Sequence, residues 1–301
     1  MTPMGQNIIQ LKSVSQFNTE RGQSTEHPLV TVLDQSKSTP LSPTKWISSL
    51  YIVFLKDSKC SEIKYGRNHY DYQDSTMMFV APGQVMGIEE DGIYQPNGWA
   101  LAFHPDLIHG SSLSTHMADY SFFSYNANEA LHLSERERKT IMDCLLNIQL
   151  ELAQSIDKHS RKLIASNIEL LLNYCLRFYD RQFITREHAV KDVLVKFENI
   201  LNEYYQSDKP SSLGIPSVSY CADELHLSSN YFGDLVKRET GRTALEFIHE
   251  KVINRAKDLI LNERKSISEI AYDIGFQYPQ HFTRLFKKHV GQTPLQFRNL
   301  N

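Results

Sequence analysis

Ser266-Ile267-Ser268-Glu269-Ile270-Ala271-Tyr272-Asp273-Ile274-Gly275-Phe276, followed by Phe282-Thr283-Arg284-Leu285-Phe286-Lys287-Lys288, is the stretch that decides how this 301-residue chain reads. Ser266 and Glu269 form a capping box, in which hydroxyl and carboxylate reciprocally satisfy orphan amides at a helix start. Ile270, Ala271 and Ile274 recur at helical spacing and mark an inner face, and Gly275 supplies the positive φ of a tight turn. Phe282, Leu285 and Phe286 then make the apolar face of a second helix. Helix, turn and helix in that order predict a helix-turn-helix, whose second helix enters the DNA major groove.

The unit occurs twice. Ser217, Ser219 and Ala222 recur as Ser266, Ser268 and Ala271 at an offset of 49. After one inserted residue, Phe232, Leu235, Lys237, Gly241, Thr243, Leu245 and Phe247 recur as Phe282, Leu285, Lys287, Gly291, Thr293, Leu295 and Phe297 at an offset of 50. The earlier copy has Cys221, Ala222 and Leu225 inside and His226 in the place of the turn glycine; histidine tolerates the left-handed region better than most residues. Between the copies Leu245, Ile248, Val252, Ala256, Leu259 and Ile260 form one stripe from Thr243 to about Asn262, which predicts a single long helix holding the units apart. Recognition helices about 34 Å apart would enter adjacent major grooves on one face of the duplex. One chain would then read a bipartite site, its second contact effectively intramolecular.

Apolar stripes alone fit a purely structural bundle equally well. The outward face of the later second helix tips the reading toward DNA: Gln280, Thr283, Arg284, Lys287 and Lys288 cluster there without an acid. Gln suits adenine and Arg guanine in the major groove, while Lys suits phosphate.

Together with Gly291-Gln292-Thr293-Pro294-Leu295-Gln296-Phe297-Arg298, these stretches resemble the C-terminal signature of the AraC/XylS family of transcriptional regulators. The resemblance extends back through Thr240-Gly241 to roughly residue 191. It implies a DNA-binding domain over 191–301, with helix-turn-helix units at 217–241 and 266–291 and recognition helices from Ser229 to Glu239 and from Tyr278 to His289. Base-reading positions then fall on Asn230, Gly233 and Asp234 in the first helix, and on Pro279, Gln280, Thr283 and Arg284 in the second. Asp234 stands where many members carry Arg, and Gly233 has no side chain to read with, so the first unit discriminates bases weakly or through Asn230 and Lys237. The implied partners are double-stranded promoter DNA, a second copy of the chain in a homodimer, RNA polymerase for an activator, and a small-molecule effector where the first half binds one rather than supplying dimerisation alone.

Up to about residue 130 the chain reads as short strands between turns: Ser49 to Leu55, Thr76 to Val80 ahead of Ala81-Pro82-Gly83, and Gly98 to Phe103. Such spacing suggests a small barrel or sandwich. Ser134-Glu135-Arg136-Glu137 is a second capping box, beyond which Ile141, Leu145, Ile148 and Leu152 mark one helix face. Another helix follows from about Ser160, and a third from Asp192 to Tyr205. Residues 206–216, with two prolines and a glycine, read as a loop. This half resembles the family's sensor domain, a cupin-like β-barrel over about 20–130 with a helical hairpin over about 134–182, within a domain of 1–190. The fold class is α+β, with an all-α C-terminal domain of two helix-turn-helix units joined by a long helix. Tyr70, Tyr72, Phe79, Trp99 and Phe103 are candidate lining for an effector pocket, or plain strand core.

Charge and composition narrow the rest. Lys and Arg number 32 against 35 Asp and Glu, net −3, which argues against a nonspecific nucleic-acid binder. The apolar run from Trp46 to Leu55 is too short to span a bilayer, so no membrane partner is expected. The opening Met1-Thr2-Pro3-Met4-Gly5 shows no secretory signal, and the cytoplasm is the expected location. Cys60, Cys144, Cys175 and Cys221 lie far apart without CxxC spacing and read as free buried thiols. His104, His109 and His116 lack the His-x-His of metal-binding cupins, so neither metal nor cofactor is expected. No phosphate loop, GxSxG or paired catalytic carboxylates stand out, and a regulator is favoured over an enzyme. The competing class is a cupin-type enzyme carrying a DNA-binding tail.

Overall fold

The computed structural model describes residues 8–42, 45–56, 75–87, 93, 95–185, 187–262 and 265–300. The chain divides into two units, Met1–Thr185 and Arg186–Asn301.

In the first unit the strands are β1 (Ile8–Leu11), β2 (Val30–Asp34), β3 (Lys45–Ser48), β4 (Tyr51–Lys56), β5 (Thr76–Val80), β6 (Val85–Gly87), β7 (Trp99–Phe103) and β8 (Leu131–His132). Among the described residues they make two separate sheets rather than a closed barrel: β1-β3-β6, and an antiparallel sheet ordered β2-β7-β4-β5-β8. The division follows from pairing. Strand β4 bonds to β5 and β7, whereas β3, just before it in the chain, bonds to β1 and β6. Register fixes the faces of the larger sheet, since Ala100 lies opposite Leu33 and Phe54, and Ala102 opposite Ile52. These side chains join Leu11, Trp46 and Leu50 in one core between the sheets. The intervening Leu101 and Phe103 are buried on the other face, so β7 is apolar on both sides and shows no alternation.

Helices also interrupt the region that the sequence reads as strands. Helix α1 (Val14–Glu20) is capped by Ser13, whose Oγ accepts from Gln16 N, and buries Val14 and Phe17. Two one-turn helices follow β7, α2 (Pro105–Ile108) and α3 (Ser112–His116). Helix α4 (Glu135–Leu152) opens on the expected box, with Ser134 N donating to Glu137 Oε2 at 2.8 Å. Its partner α5 (Ser160–Thr185) packs antiparallel to it across a short turn and buries Ile164, Ile168, Leu171, Leu172 and Cys175. Arg161 anchors the start of α5 by donating to the carbonyls of Leu107, Asp106 and His109 at 2.8, 2.6 and 2.9 Å, satisfying the open end of α2. Cys144 and Cys175 are free and buried, as is Cys221 in the second unit; Cys60 lies outside the described residues.

The second unit is helical throughout its described length: α6 (Glu187–Gln206), α7 (Lys209–Leu213), α8 (Val218–Glu224), α9 (Ser229–Thr240), α10 (Ala244–Asn262), α11 (Ile267–Asp273), α12 (Pro279–Val290) and α13 (Pro294–Leu300). The long helix predicted between the repeats is α10, which packs on α9 at one end and on α11, α12 and α13 at the other. Its Ile248, Val252, Ala256 and Ile260 are buried as expected, but Leu245, in the first turn, is exposed, as is its repeat mate Leu295. Thr243 and Glu246 cap α10 in the way that Thr293 and Gln296 cap α13, so each repeat has three helices rather than two. The predicted loop at 206–216 contains α7, whose Pro210 occupies the first turn, where a missing N–H leaves no acceptor stranded.

Candidate nucleic-acid interface

The two helix-turn-helix units are built alike. In the first, Cys221 and Ala222 of α8 meet Phe232, Leu235 and Val236 of α9, all buried, and Phe197 of α6 stacks edge-on against Phe232 at 4.9 Å. In the second, Ile270, Ala271 and Ile274 meet Phe282 and Phe286 of α12, and Phe297 of α13 closes the base 5.6 Å from Phe286. The turns share one hydrogen bond: Leu227 N donates to Ala222 O, and Phe276 N to Ala271 O, each at 2.9 Å. His226 holds φ +57° where the later copy has Gly275, the one non-glycine residue with positive φ among those described.

Burying one side of each second helix fixes what the other side presents. On α12 Gln280, Arg284, Lys287 and Lys288 are exposed along successive turns. Thr283 is half-buried, and its Oγ1 donates to Pro279 O at 3.1 Å, so the hydroxyl is engaged with its own helix. Among the described residues Arg284 and Gln280 have no side-chain hydrogen bond or ion pair, and both side chains face outward. Lys287, Lys288 and His289 also lie in the last turn, where positive charge favours the helix C-terminus irrespective of any ligand. His249 of α10 faces His289 across 6.2 Å; burial, then the neighbouring His289 and Lys288, hold its pKa below the usual imidazole value. On α9, Asn230 and Lys237 are exposed, and Asp234 shares their face at positions i, i+4 and i+7. Asp234 is half-buried and already engaged within the fold, which leaves Asn230 and Lys237 as the open groups of the first helix.

A helix-turn-helix domain family matches residues 221–300. The chain is 31% identical over 142 residues to an HTH-type regulator, YfiF, of Bacillus subtilis, covering 47% of this chain and 41% of that protein. It is 32% identical over 143 residues to the transposon Tn10 TetD protein of Escherichia coli, covering 48% of this chain and 91% of TetD. The chain belongs to the AraC family. Among solved structures, the C-terminal domain of the response regulator YesN from Fusobacterium nucleatum is 30% identical, over 34% of this AraC-family chain and 93% of that one, with a TM-score of 0.30. The chain spans less than half the length of YfiF and a quarter of that of a Bacillus subtilis regulatory protein, YesN.

The first unit of this AraC-family protein holds a cavity of about 480 Å³, lined from both sheets, from the end of α1 and from Tyr179 of α5. Of the aromatic residues singled out in the sequence, Phe79 and Trp99 line it. Phe103 does not; it is fully buried and stacked on Tyr51 at 5.2 Å, on the sheet face away from the inter-sheet core. Tyr70 and Tyr72 lie outside the described residues. Sequence reasoning missed Arg21 and Gln35, buried polar residues of the cavity wall that no local pattern marks.

The three histidines have separate tasks. His104 caps α2, its Nδ1 accepting from Asp106 N at 3.2 Å, and His109 lies 3.5 Å from Asp106. His116 meets Glu169 at 2.7 Å, tying α3 to α5. Among the described residues no three His, Cys, Asp or Glu side chains are grouped to hold a metal, and no helix is long and apolar enough to cross a membrane.

Proposed function

We propose that the protein is a sequence-specific transcriptional regulator acting on promoter DNA, with residues 191–301 as the DNA-binding domain and 1–190 as the sensor and dimerisation domain. The observation that carries this reading is the exposed, acid-free row Gln280, Arg284, Lys287 and Lys288 on α12, held outward by Phe282 and Phe286 on the buried side. In this reading Gln280 and Arg284 contact base edges, Lys287 and Lys288 contact phosphates, and Asn230 and Lys237 make the lighter contacts of the first unit. Thr283, with its hydroxyl committed to Pro279, offers its methyl group to the groove.

The two sheets of the first unit are read as the walls of a cupin-like barrel around an effector cavity. Tyr179, which lines that cavity, belongs to α5, so an occupant touches the hairpin directly. The hairpin is the proposed dimer contact: Leu163 and Leu170 on α5 are seven residues apart, and they and Leu150 on α4 are exposed apolar side chains. An effector with different affinity for two dimer arrangements shifts the population between them and so the pair of DNA sites engaged. Activation through RNA polymerase, in the cytoplasm, is the proposed mode. The enzyme alternative is not favoured, because His104, His109 and His116 are spread over a cap and two separate carboxylates.

Selection of bound sequences from random duplexes by the full-length protein at physiological salt tests the reading. Enrichment of a site with two half-elements about one helical turn apart is expected. Failure to enrich any sequence, in a protein shown to be folded, refutes it.

A further inference from the structure

Gln35 opens a 3-10 turn directly after β2, and its backbone is pinned on both sides: its N–H donates to Gly98 O at 2.8 Å, and its carbonyl accepts from Ser38 N at 3.0 Å. Its side chain is 3% exposed and lines the cavity, yet neither Nε2 nor Oε1 has a hydrogen-bond partner among the described residues. Native folds keep few such groups, and a pre-positioned, unsatisfied amide in a cavity wall points to a ligand that completes it. The other amides of the described lining are spent: Gln84 accepts from Ala81 N and donates to Phe123 O, Asn97 accepts from Gly98 N, and Asn126 caps a turn.

The wall around Gln35 is hydrocarbon. Phe54 pairs with Ala100 on one side and Met78 on the other, and Val80 pairs with Ile52, so Phe54, Met78 and Val80 share the sheet face that meets the inter-sheet core. Trp46 and Met86, paired across β3 and β6, and Leu41 approach from the opposite side. The charged residues of the described lining, Arg21 and Lys56, are both already engaged within the chain, so neither calls for a counter-ion. A sugar would leave most of its hydroxyls unpaired against such a wall. A carboxylate accepts at both oxygens and has no proton for Gln35 Oε1. A cyclic amide carries N–H and C=O on one edge, because its ring holds them cis, and the rest of it can be hydrocarbon. We propose that the cavity between the sheets binds a small neutral cyclic amide, whose N–H donates to Gln35 Oε1 while its carbonyl accepts from Gln35 Nε2. Its hydrocarbon body packs against the apolar wall. This inference rests on the effector reading above and adds the class of ligand.

Trp46 lies in that wall, so the tryptophan emission of the full-length protein reports occupancy. The probes are the lactam 3,4-dihydroquinolin-2-one, its isostere 2-tetralone with CH2 for N–H, tetralin with neither polar group, 3-phenylpropanoate and xylose. Saturable binding of the lactam is expected, with 2-tetralone weaker by about tenfold, or about 1.4 kcal/mol, and tetralin weaker still. Gln35→Met removes the amide at similar size and should bring lactam, tetralone and tetralin to similar affinities; should that variant not fold, the ligand series on the native protein decides. Absence of saturable lactam binding, or equal or tighter binding of 2-tetralone, phenylpropanoate or xylose, overturns the inference. Measuring DNA affinity with each probe keeps the two ideas apart. Lactam binding with no effect on DNA leaves the ligand class standing and removes effector control, whereas a DNA response to xylose or phenylpropanoate without lactam binding does the reverse.

Discussion

Replacing Gly275 by alanine places a Cβ 2.6 Å from Gly214 C, 2.8 Å from Gly214 O and 2.8 Å from Ile215 N. These are backbone atoms of the segment that follows α7, and that segment is held from its other side, where Tyr204 of α6 donates its hydroxyl to Gly214 O at 2.9 Å. Helix α7 also packs on α11, so the second helix-turn-helix is braced by α7 as well as by α10. Two effects add. Alanine at φ +100° is strained by about 1–2 kcal/mol. Relieving the overlap requires the segment to move and to loosen the Tyr204 hydrogen bond, about 1 kcal/mol more, for a total of about 2–3 kcal/mol. Gly291→Ala is the control: its φ is +85°, but nothing lies within 4 Å of the added Cβ, so it suffers only the conformational strain. Urea denaturation followed by far-ultraviolet circular dichroism should show Gly275→Ala less stable than Gly291→Ala by about 1 kcal/mol. Both tryptophans lie in the first unit, so the transition seen in tryptophan emission should stay in place. Equal destabilisation by the two variants would show that the Gly214–Gly275 contact braces nothing.

Three further outcomes are expected. Arg284→Ala should weaken binding to the selected site by about 1–3 kcal/mol and relax preference at one base pair, whereas Lys288→Ala should weaken all sequences alike and lower the salt slope by about 1; uniform weakening by Arg284→Ala in a competition assay would make it a phosphate contact. Burial raises the Glu137 pKa, but the Ser134 N–H at 2.8 Å and the Arg181 guanidinium at 2.7 and 3.1 Å outweigh it and hold the carboxyl below its usual value. Its stabilisation is therefore present above the ordinary carboxylate pKa and lost as pH falls through the lower folded value. Glu137→Gln should lose about 1–2 kcal/mol at neutral pH, and the gap should close in acid below about pH 4; a gap that persists there would rule out the ion pair as its source. Leu170→Lys, on the exposed row of α5, should leave the fold intact and shift sedimentation from dimer to monomer. A native protein that is already monomeric would remove the proposed contact.

The second unit was legible because its signals are local. A Ser and a Glu three residues apart form the boxes at Ser134 and Ser266, and Gly275 and His226 mark the turns where φ is positive. The burial of Phe282 and Phe286 follows from helical period, and it dictates that Gln280 and Arg284 face outward. The first unit was less so. Trp99 and Phe103, four residues apart on β7, share a face, so strand alternation did not distinguish cavity-lining Trp99 from core Phe103. Helix α1, less than two turns long, carried too short a period to be seen.

Sequence by itself determined the repeated helix-turn-helix, the family and the outward face of α12, because caps, turns and a 3.6-residue period act between neighbours along the chain. Tertiary structure alone decided that the strands divide into two sheets, that Leu245 faces out, that the segment after α7 meets Gly275, and that Gln35 is stranded in a cavity wall. Each of those depends on distant segments meeting, as when Gln35 N finds Gly98 O, and no spacing within one segment records which partner the fold brings to it.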